Sequence, residues 1–343
     1  MIKEQDMETR QHIVVIGGGF AGLNLVKHLD VRKFRVTLID RNNYHAFPPL
    51  FYQIASSGIE PLDITFPFRK ELKSRMKRGV RYVLSEVSGI DTAAHEVITD
   101  TGRIGYDRLV IAAGTTNNYF GNDALRDRVY TLKSTSEAIR CRNDILKSLE
   151  LAARETDEAR RRRLLSFVVI GGGPAGVEVA GALGEMKRYI LRREYPDLNP
   201  DEMSITIVEG THELLRTMTE RSSADAAKAL EQLCVTIRLG HNMSSYDGNE
   251  VTLDDGTVLP AGMVIWTAGV VGEPLTLSAT DVAAAHGGRF VTDRYNHVKG
   301  MEDIYAIGDI ALVEDDDKWP KGHPQLAQVA IQQSRNLARN FNS

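Results

Sequence analysis

The chain is poor in cysteine. Its two, Cys141 and Cys234, stand 93 positions apart in 343 residues and form no CxxC pair. That excludes a disulfide scaffold and a local dithiol centre, and it argues against secretion. An excess of one charge is also missing. The 42 basic and 46 acidic residues leave 42 − 46 = −4, with no basic surplus of the kind nucleic acid selects. The nine histidines fall in no HxxxH or comparable spacing, so no metal site is expected. No GxSxG nucleophile elbow occurs. Residues 1–11 are charged and carry no apolar core, so no signal peptide is expected. Long hydrophobic runs are scarce too. The nearest, residues 167–184, has Glu178 as its single charge in 18 residues. It holds four glycines in its first ten positions and a proline, and reads as a buried strand entering a buried helix rather than a membrane span.

Glycine is plentiful, and its placement is ordered. Residues 13–29 read IVVIGGGFAGLNLVKHL and residues 167–183 read FVVIGGGPAGVEVAGAL, identical at nine of 17 positions. Each copy is a β-branched run, a cluster of glycines and a helix-length stretch: strand, tight turn, helix. Each is followed by a short apolar strand ending in Ala-Gly, LVIAAG at residues 109–114 and MVIWTAG at 263–269. A chain of this length holds about two domains. The expected fold is therefore α/β, with two Rossmann-like dinucleotide-binding domains. Residues 80–90, 96–99 and 103–106 read as a small antiparallel sheet, as do residues 235–238, 243–246, 250–253 and 258–259. A polar helix is expected over 135–159, then four arginines at 160–163 that read as a solvated connector, contact with an anionic lipid being the other reading. The acidic run 314–317 reads as a surface loop. A strand is expected at 304–307 and a last helix over 324–341, with Leu326, Ala330, Leu337 and Phe341 on one stripe.

Gly17-x-Gly19-x-x-Gly22 follows a predicted strand, opens a predicted helix, and is followed 23 residues later by Asp40. The glycines let backbone approach a pyrophosphate, the helix N-terminus offers it free N–H groups, and Asp40 accepts from ribose hydroxyls. Gly171-x-Gly173-x-x-Gly176 repeats the pattern, with Pro174 opening the helix. Its acid, Glu209, comes 38 residues on, the surplus being a longer helix plus a loop over 187–203. A carboxylate there repels a 2′-phosphate and favours NADH over NADPH, a preference Arg216 would soften. Two such sites suggest two cofactors that react with each other. Asp309, directly after a strand and Gly308, suits the polyol of a flavin, which NAD lacks; read alone, it also suits a turn cap. Gln328 and Gln332, four apart, share a helix face, and amides donate to quinone carbonyls without adding charge. The same two residues also suit a solvated helix surface. Glu178 has small neighbours, Pro174, Ala175, Gly181 and Ala182, which imply close packing and a raised carboxyl pKa. A glutamate favoured by the helix dipole is the other reading.

Four stretches carry a family resemblance: Asn43-Tyr44-His45-x-Phe47-x-Pro49-Leu50-x-Tyr52-Gln53, Gly173-Pro174-x-Gly176-Val177-Glu178-x-Ala180-Gly181, Ala306-Ile307-Gly308-Asp309, and Ala327-Gln328-x-Ala330-x-Gln332. Over essentially its whole length the sequence resembles the flavin-dependent pyridine-nucleotide oxidoreductases, and among them the type II, non-proton-pumping NADH dehydrogenases. The first and last stretches discriminate; the dinucleotide fingerprints name only the superfamily.

The resemblance implies an FAD-dependent NADH:quinone oxidoreductase. It assigns residues 1–120 and 291–343 to an FAD domain and 121–290 to an NADH domain inserted into it. FAD would meet Gly17, Gly19, Gly22, Asp40, the backbone of Val87, Ala113, Gly114, Gly308, Asp309, Ala327 and Gln328. NADH would meet Gly171, Gly173, Gly176, Glu178, Glu209, Ala268 and Gly269. Gln328 and Gln332 would border the quinone, and Glu178 would pass protons toward it. His45 and Tyr44 fall in the family's flavin-side loop, where a merely packed histidine is an equal reading. The resemblance further implies a cytoplasmic enzyme, peripheral on the inner face of the cell membrane when full-length, with a homodimer left open. The family usually continues past the glutamine helix with a segment for membrane binding and dimer contact; this sequence stops at Ser343, so that segment is expected to be absent. Rival readings are a reductase for a small ferredoxin- or rubredoxin-type protein, a sulfide:quinone reductase, which would need redox cysteines by the flavin, and a flavoprotein that senses NADH without turnover.

Overall fold

The computed structural model describes residues 9–278, 284, 285 and 287–343, so most of the charged start lies outside the described residues. The described residues form two units. Unit 1 draws on residues 9–46, 65–116 and 270–343, and unit 2 on residues 47–64 and 117–269.

Unit 1 begins with β1 (Gln11–Ile16), α1 (Phe20–His28), β2 (Phe34–Asp40), β3 (Val80–Leu84) and β4 (Arg108–Ile111). Unit 2 contains α2 (Phe51–Ala55), α3 (Thr135–Arg154), β5 (Ser166–Ile170), α4 (Pro174–Glu185), β6 (Ser204–Glu209), β7 (Thr236–Leu239) and β8 (Met263–Trp266). The chain then returns to unit 1 with β9 (Ile304–Ala306) and α5 (Ala327–Asn342).

Unit 1 is built on a five-stranded parallel sheet, order β9-β4-β1-β2-β3. Unit 2 is built on a four-stranded parallel sheet, order β7-β6-β5-β8. In each, the chain steps outward from its first strand and then returns to that strand's other side. The reversal leaves a crevice beyond the C-terminal ends of β1 and β4, and another beyond β5 and β8, where open α/β sheets bind ligands.

The strand sequences follow from burial on both faces. Ile13, Val14 and Val15 are fully buried, each contributing about 1.5–3 kcal/mol. Ile13 and Val15 join one apolar cluster, with Leu25 and Leu337, while Val14 and Ile16 join another, with Ile304 and Ile310. β5 does the same: Phe167 and Val169 pack to one side, Val168 and Ile170 to the other. That is why both repeats read as unbroken apolar runs.

Several expectations need correction. Val80–Leu84 is not part of the small antiparallel sheet; it is the parallel edge strand beside β2. The antiparallel sheet starts at Val87 and runs through Glu96–Thr99 and Gly102–Gly105. Likewise Thr236–Leu239 pairs in parallel with β6, and only Met243–Tyr246, Glu250–Leu253 and Val258–Pro260 are antiparallel. The reason is shared: a helical crossover precedes each strand, and such crossovers deliver parallel neighbours. The expected 135–159 helix ends at Arg154, and the arginine run lies in a second helix, Glu158–Leu164, capped by Asp157. Leu326 is the N-cap of α5 and is exposed, off the stripe expected to bury it. The chain re-enters unit 1 at Val270, ahead of the return expected near residue 290, and residues 47–64 group with unit 2.

Candidate functional site

In unit 1 the three fingerprint glycines do different work. Gly17 has φ +96° and accepts no side chain: an added Cβ would sit 2.4 Å from the Ala112 carbonyl oxygen. Gly22 lets α1 close on the turn, since its Cβ would lie 1.8 Å from the Gly17 oxygen. Gly19, the N-cap of α1, has an ordinary φ of −65° and nothing within 4 Å of its Cβ position. The first and third glycines are thus required by the protein, and the second faces open space where a pyrophosphate would lie. Unit 2 repeats the division. Gly171 has φ +109° with Ala268 N 2.8 Å from its Cβ position, a Cβ on Gly176 would lie 1.8 Å from the Gly171 oxygen, and one on Gly173 would meet nothing within 4 Å.

The acids also correspond. Asp40 Oδ2 accepts from Gly18 N–H at 2.6 Å and its Oδ1 from Asn42 N–H at 2.7 Å. Burial pushes the Asp40 carboxyl above its usual range, although those bonds favour the charged form. Glu209 Oε2 accepts from Gly172 N–H at 2.6 Å and its Oε1 from Thr211 N–H at 2.8 Å. The carbonyls of the same two glycines are held differently. Gly18 O accepts from His45 Nδ1 at 3.0 Å, and Gly172 O from Leu215 N–H at 2.8 Å. His45 also meets Phe20 edge to face, and burial pushes its ring pKa down, so it serves as a neutral donor beside the turn.

The remaining unit 1 residues gather around that turn. Ala112 N–H bonds Ile16 O at 2.8 Å, bringing Ala113 and Gly114 beside the fingerprint; Gly114 has φ +71° and open space at its Cβ position. Ser85 N–H bonds Asp40 O at 3.0 Å, which carries the chain past Asp40 to Val87 at a bulged strand start. Gly308 has φ +76°, and its Cβ position lies 3.1 Å from Ala21 Cβ on α1 and 3.5 Å from Ala330 Cβ on α5. The turn Gly308–Ile310, and Asp309 with it, is therefore seated against the fingerprint helix. Ala327 and Gln328 open α5; Gln328 and Gln332 are exposed on the face opposite the Ala330–Leu337–Phe341 stripe.

In unit 2, Thr267 N–H bonds Ile170 O at 2.8 Å and sets Ala268 and Gly269 beside Gly171. Gly269 has φ +72° and the Phe120 ring 2.7 Å from its Cβ position. Glu178 is exposed, with Pro174 and Ala175 exposed next to it, so its small neighbours do not pack as expected. Partial desolvation still pushes its carboxyl above the usual range. Cys141 is buried in α3 among the unit 2 core, its thiol pushed up to about 12 by burial; Cys234 is exposed. A thiol so hard to ionise is no redox nucleophile.

Two features escaped the sequence reading. Gln333, not Gln332, is the buried glutamine of α5; its Oε1 accepts from Gly308 N–H at 2.7 Å. Its signal was a polar residue on an apolar stripe, which demands a partner. His241, Asp254 and Asp255 come together with ligand atoms within 4.8 Å. Both carboxylates already accept from backbone N–H groups, of Asn242 and Thr257, which accounts for the cluster as the wiring of its turns.

Two parallel sheets with a glycine cradle at each reversal define a class of proteins that hold two dinucleotides on one chain. Residues 11–334 match the pyridine nucleotide-disulphide oxidoreductase family. The chain is 33% identical over 340 residues to the type II NADH:quinone oxidoreductase Ndh of Mycobacterium tuberculosis, covering 96% of this chain and 72% of that protein. It is also 33% identical over 340 residues to NdhA of the same organism, covering 95% and 70%. The solved structure of NDH2 from Plasmodium falciparum in complex with NADH has the same fold, with TM-score 0.90 at 22% identity over 97% of this chain and 83% of that one. The chain belongs to the pyridine nucleotide-disulphide oxidoreductase family, in its type II NADH:quinone oxidoreductase branch.

Proposed function

We propose that the chain is a non-proton-pumping, FAD-dependent NADH:quinone oxidoreductase, unit 1 holding FAD and unit 2 holding NADH. The supporting observation is the doubled cradle: Gly19 and Gly173 face open space while Gly22 and Gly176 are locked against backbone. FAD, once bound, supplies the two-electron relay between nicotinamide C4 and a quinone. The protein's residues do the rest. Gly17, Gly19, Gly22 and the N-terminus of α1 take the FAD pyrophosphate, Asp40 the ribose and Val87 the adenine. Ala113, Gly114, Gly308 and Asp309 line the polyol side, and Ala327 and Gln328 the ring. Gly171, Gly173 and Gly176 take the NADH pyrophosphate, Glu209 its ribose, and Ala268 and Gly269 the nicotinamide end. Glu178 moves a proton, its raised pKa keeping it protonated to higher pH than an ordinary carboxyl. The exposed Gln328 and Gln332 donate to quinone carbonyls.

The quinone is a bilayer solute, so the protein is proposed to sit peripherally on the inner face of the cell membrane, as a monomer or homodimer. Among the described residues no helix is long and apolar enough to cross a membrane. The test is spectral. The purified chain comes off the column yellow, bleaches with NADH and much less with NADPH, and recolours on anaerobic addition of a short-chain quinone. A chain that refuses FAD, or whose flavin stays oxidised in excess NADH, overturns the reading.

A further inference from the structure

A line of polar side chains runs from a surface loop to the turn after β9. Gly308 N–H donates to Gln333 Oε1 at 2.7 Å, Gln333 Nε2 lies 3.1 Å from His323 Nδ1, and His323 Nε2 lies 3.0 Å from Asp316 Oδ2. The polarity of the chain is fixed by chemistry. A backbone N–H only donates, so the Gln333 atom facing Gly308 is its oxygen. The amide nitrogen then faces His323 Nδ1, and an amide nitrogen only donates. Nδ1 must therefore carry a lone pair, the ring proton sits on Nε2, and that proton is given to Asp316. The His323 bond is the main reason the Asp316 carboxyl is held below its usual range. The surrounding charges fit. Lys318 adds its charge beside Asp316, while Arg289 bonds the carbonyls of Ala311 and His323 and faces Asp309. Gln325 Nε2 bonds Asp309 O at 3.1 Å.

We propose that Gln333, set by His323 and Asp316, is a positioning residue that fixes the Gly308 peptide and thereby aims Asp309 at the FAD polyol. This rests on the assignment of Asp309 to that polyol made under the proposed function. Gln333 touches no cofactor itself; it acts through the turn, where Gly308 packs beside Ala21 of α1 and Ala330 of α5.

The experiment compares Gln333→Met, Gln333→Glu and Asp309→Ala in the FAD-loaded chain. FAD release is read by the rise of flavin fluorescence on dilution, folding by thermal unfolding, and the His323 ring by its 15N shifts. Gln333→Met keeps the volume and loses both bonds, so FAD binding weakens about tenfold. Gln333→Glu still accepts from Gly308, keeps FAD within about threefold of wild type, and places a proton on His323 Nδ1, which the 15N shifts report. Asp309→Ala weakens FAD at least as much as Gln333→Met. If Asp309→Ala releases FAD and Gln333→Met does not, the positioning role is overturned. If both Gln333 variants weaken FAD alike with the His323 nitrogens unmoved, Gln333 only fills space and the proposal also falls. If Asp309→Ala leaves FAD binding unchanged, the underlying placement of the polyol is what has failed.

Discussion

Asp40 and Glu209 occupy equivalent places in the two units and bond equivalent partners: each takes the N–H of the middle glycine of the GGG run before it, at 2.6 Å, and an N–H two residues beyond itself. Each carboxylate braces the turn whose ligand it would also contact. Removing one therefore acts on one nucleotide only. Asp40→Asn should weaken FAD binding by about tenfold or more and leave NADH binding unchanged. Glu209→Ala removes the negative charge that opposes a 2′-phosphate, and should raise the NADPH-to-NADH ratio of kcat/KM by about tenfold or more. Equilibrium titrations with each nucleotide check both halves, and a loss of both nucleotides in either variant contradicts the division.

The glycines of unit 1 separate folding from binding. At Gly22 a methyl group would meet the Gly17 oxygen at 1.8 Å, backbone against backbone with nowhere to move. Gly22→Ala should destabilise the chain by ~3 kcal/mol or more. Gly19→Ala meets no protein atom, and its φ of −65° suits alanine. That variant should melt within a degree or two of wild type, at the ±0.5 kcal/mol scale of neutral substitutions, yet bind FAD poorly. Calorimetry against FAD affinity settles it. Equal melting losses in the two variants would mean that Gly19 has a structural duty of its own.

Asp40 also predicts a pH dependence. Burial raises its carboxyl pKa in the free protein, and a ribose hydroxyl donating to it favours the ionised form. FAD binding then lowers that pKa, so affinity is full where Asp40 is ionised. It declines as pH falls through the raised pKa, by about one decade per pH unit. Asp40→Asn should lower the plateau by about tenfold, as above, and flatten the acid limb. An unchanged slope in the variant would assign the limb to another group.

Much of the fold was legible because the duplication is written in β-branched runs and glycines that only a buried parallel sheet needs. Residues 13–16 and 167–170 read as strands for that reason, and their acids were found by position alone. What sequence hid was pairing. Val80–Leu84 and Thr236–Leu239 look like the antiparallel strands that follow them, and only the helix before each decides their direction. Gln333 was hidden because its neighbour Gln332 is chemically identical. One residue of helix rotation, about 100°, separates a solvent-facing amide from one that holds Gly308.

Cys141 yields a negative prediction with discriminating value. Its buried thiol, pushed up to about 12, should resist alkylation in the folded chain, while the exposed Cys234 should react. A Cys141→Ala, Cys234→Ser double variant should keep NADH oxidation within about twofold of wild type, because no thiolate chemistry is required. Loss of flavin reduction in that variant would revive a cysteine-dependent reaction of the sulfide:quinone type.

Glu178 supplies the sharpest kinetic test. Its carboxyl is raised by desolvation alone, with no charged partner contributing to the shift. A protonated Glu178 would deliver its proton during quinone reduction, so the rate should fall as pH rises through its raised pKa. Glu178→Gln keeps the size and the hydrogen-bond donor but transfers no proton. With a short-chain quinone the variant should lose ~10²-fold in kcat and show no alkaline limb from this group, while bleaching of the flavin by NADH stays fast in stopped flow. The two half-reactions thus respond differently to one atom change. If Glu178→Gln slows bleaching instead and leaves the alkaline limb intact, the residue belongs to NADH seating and not to proton delivery, and the quinone-side proton must come from another group.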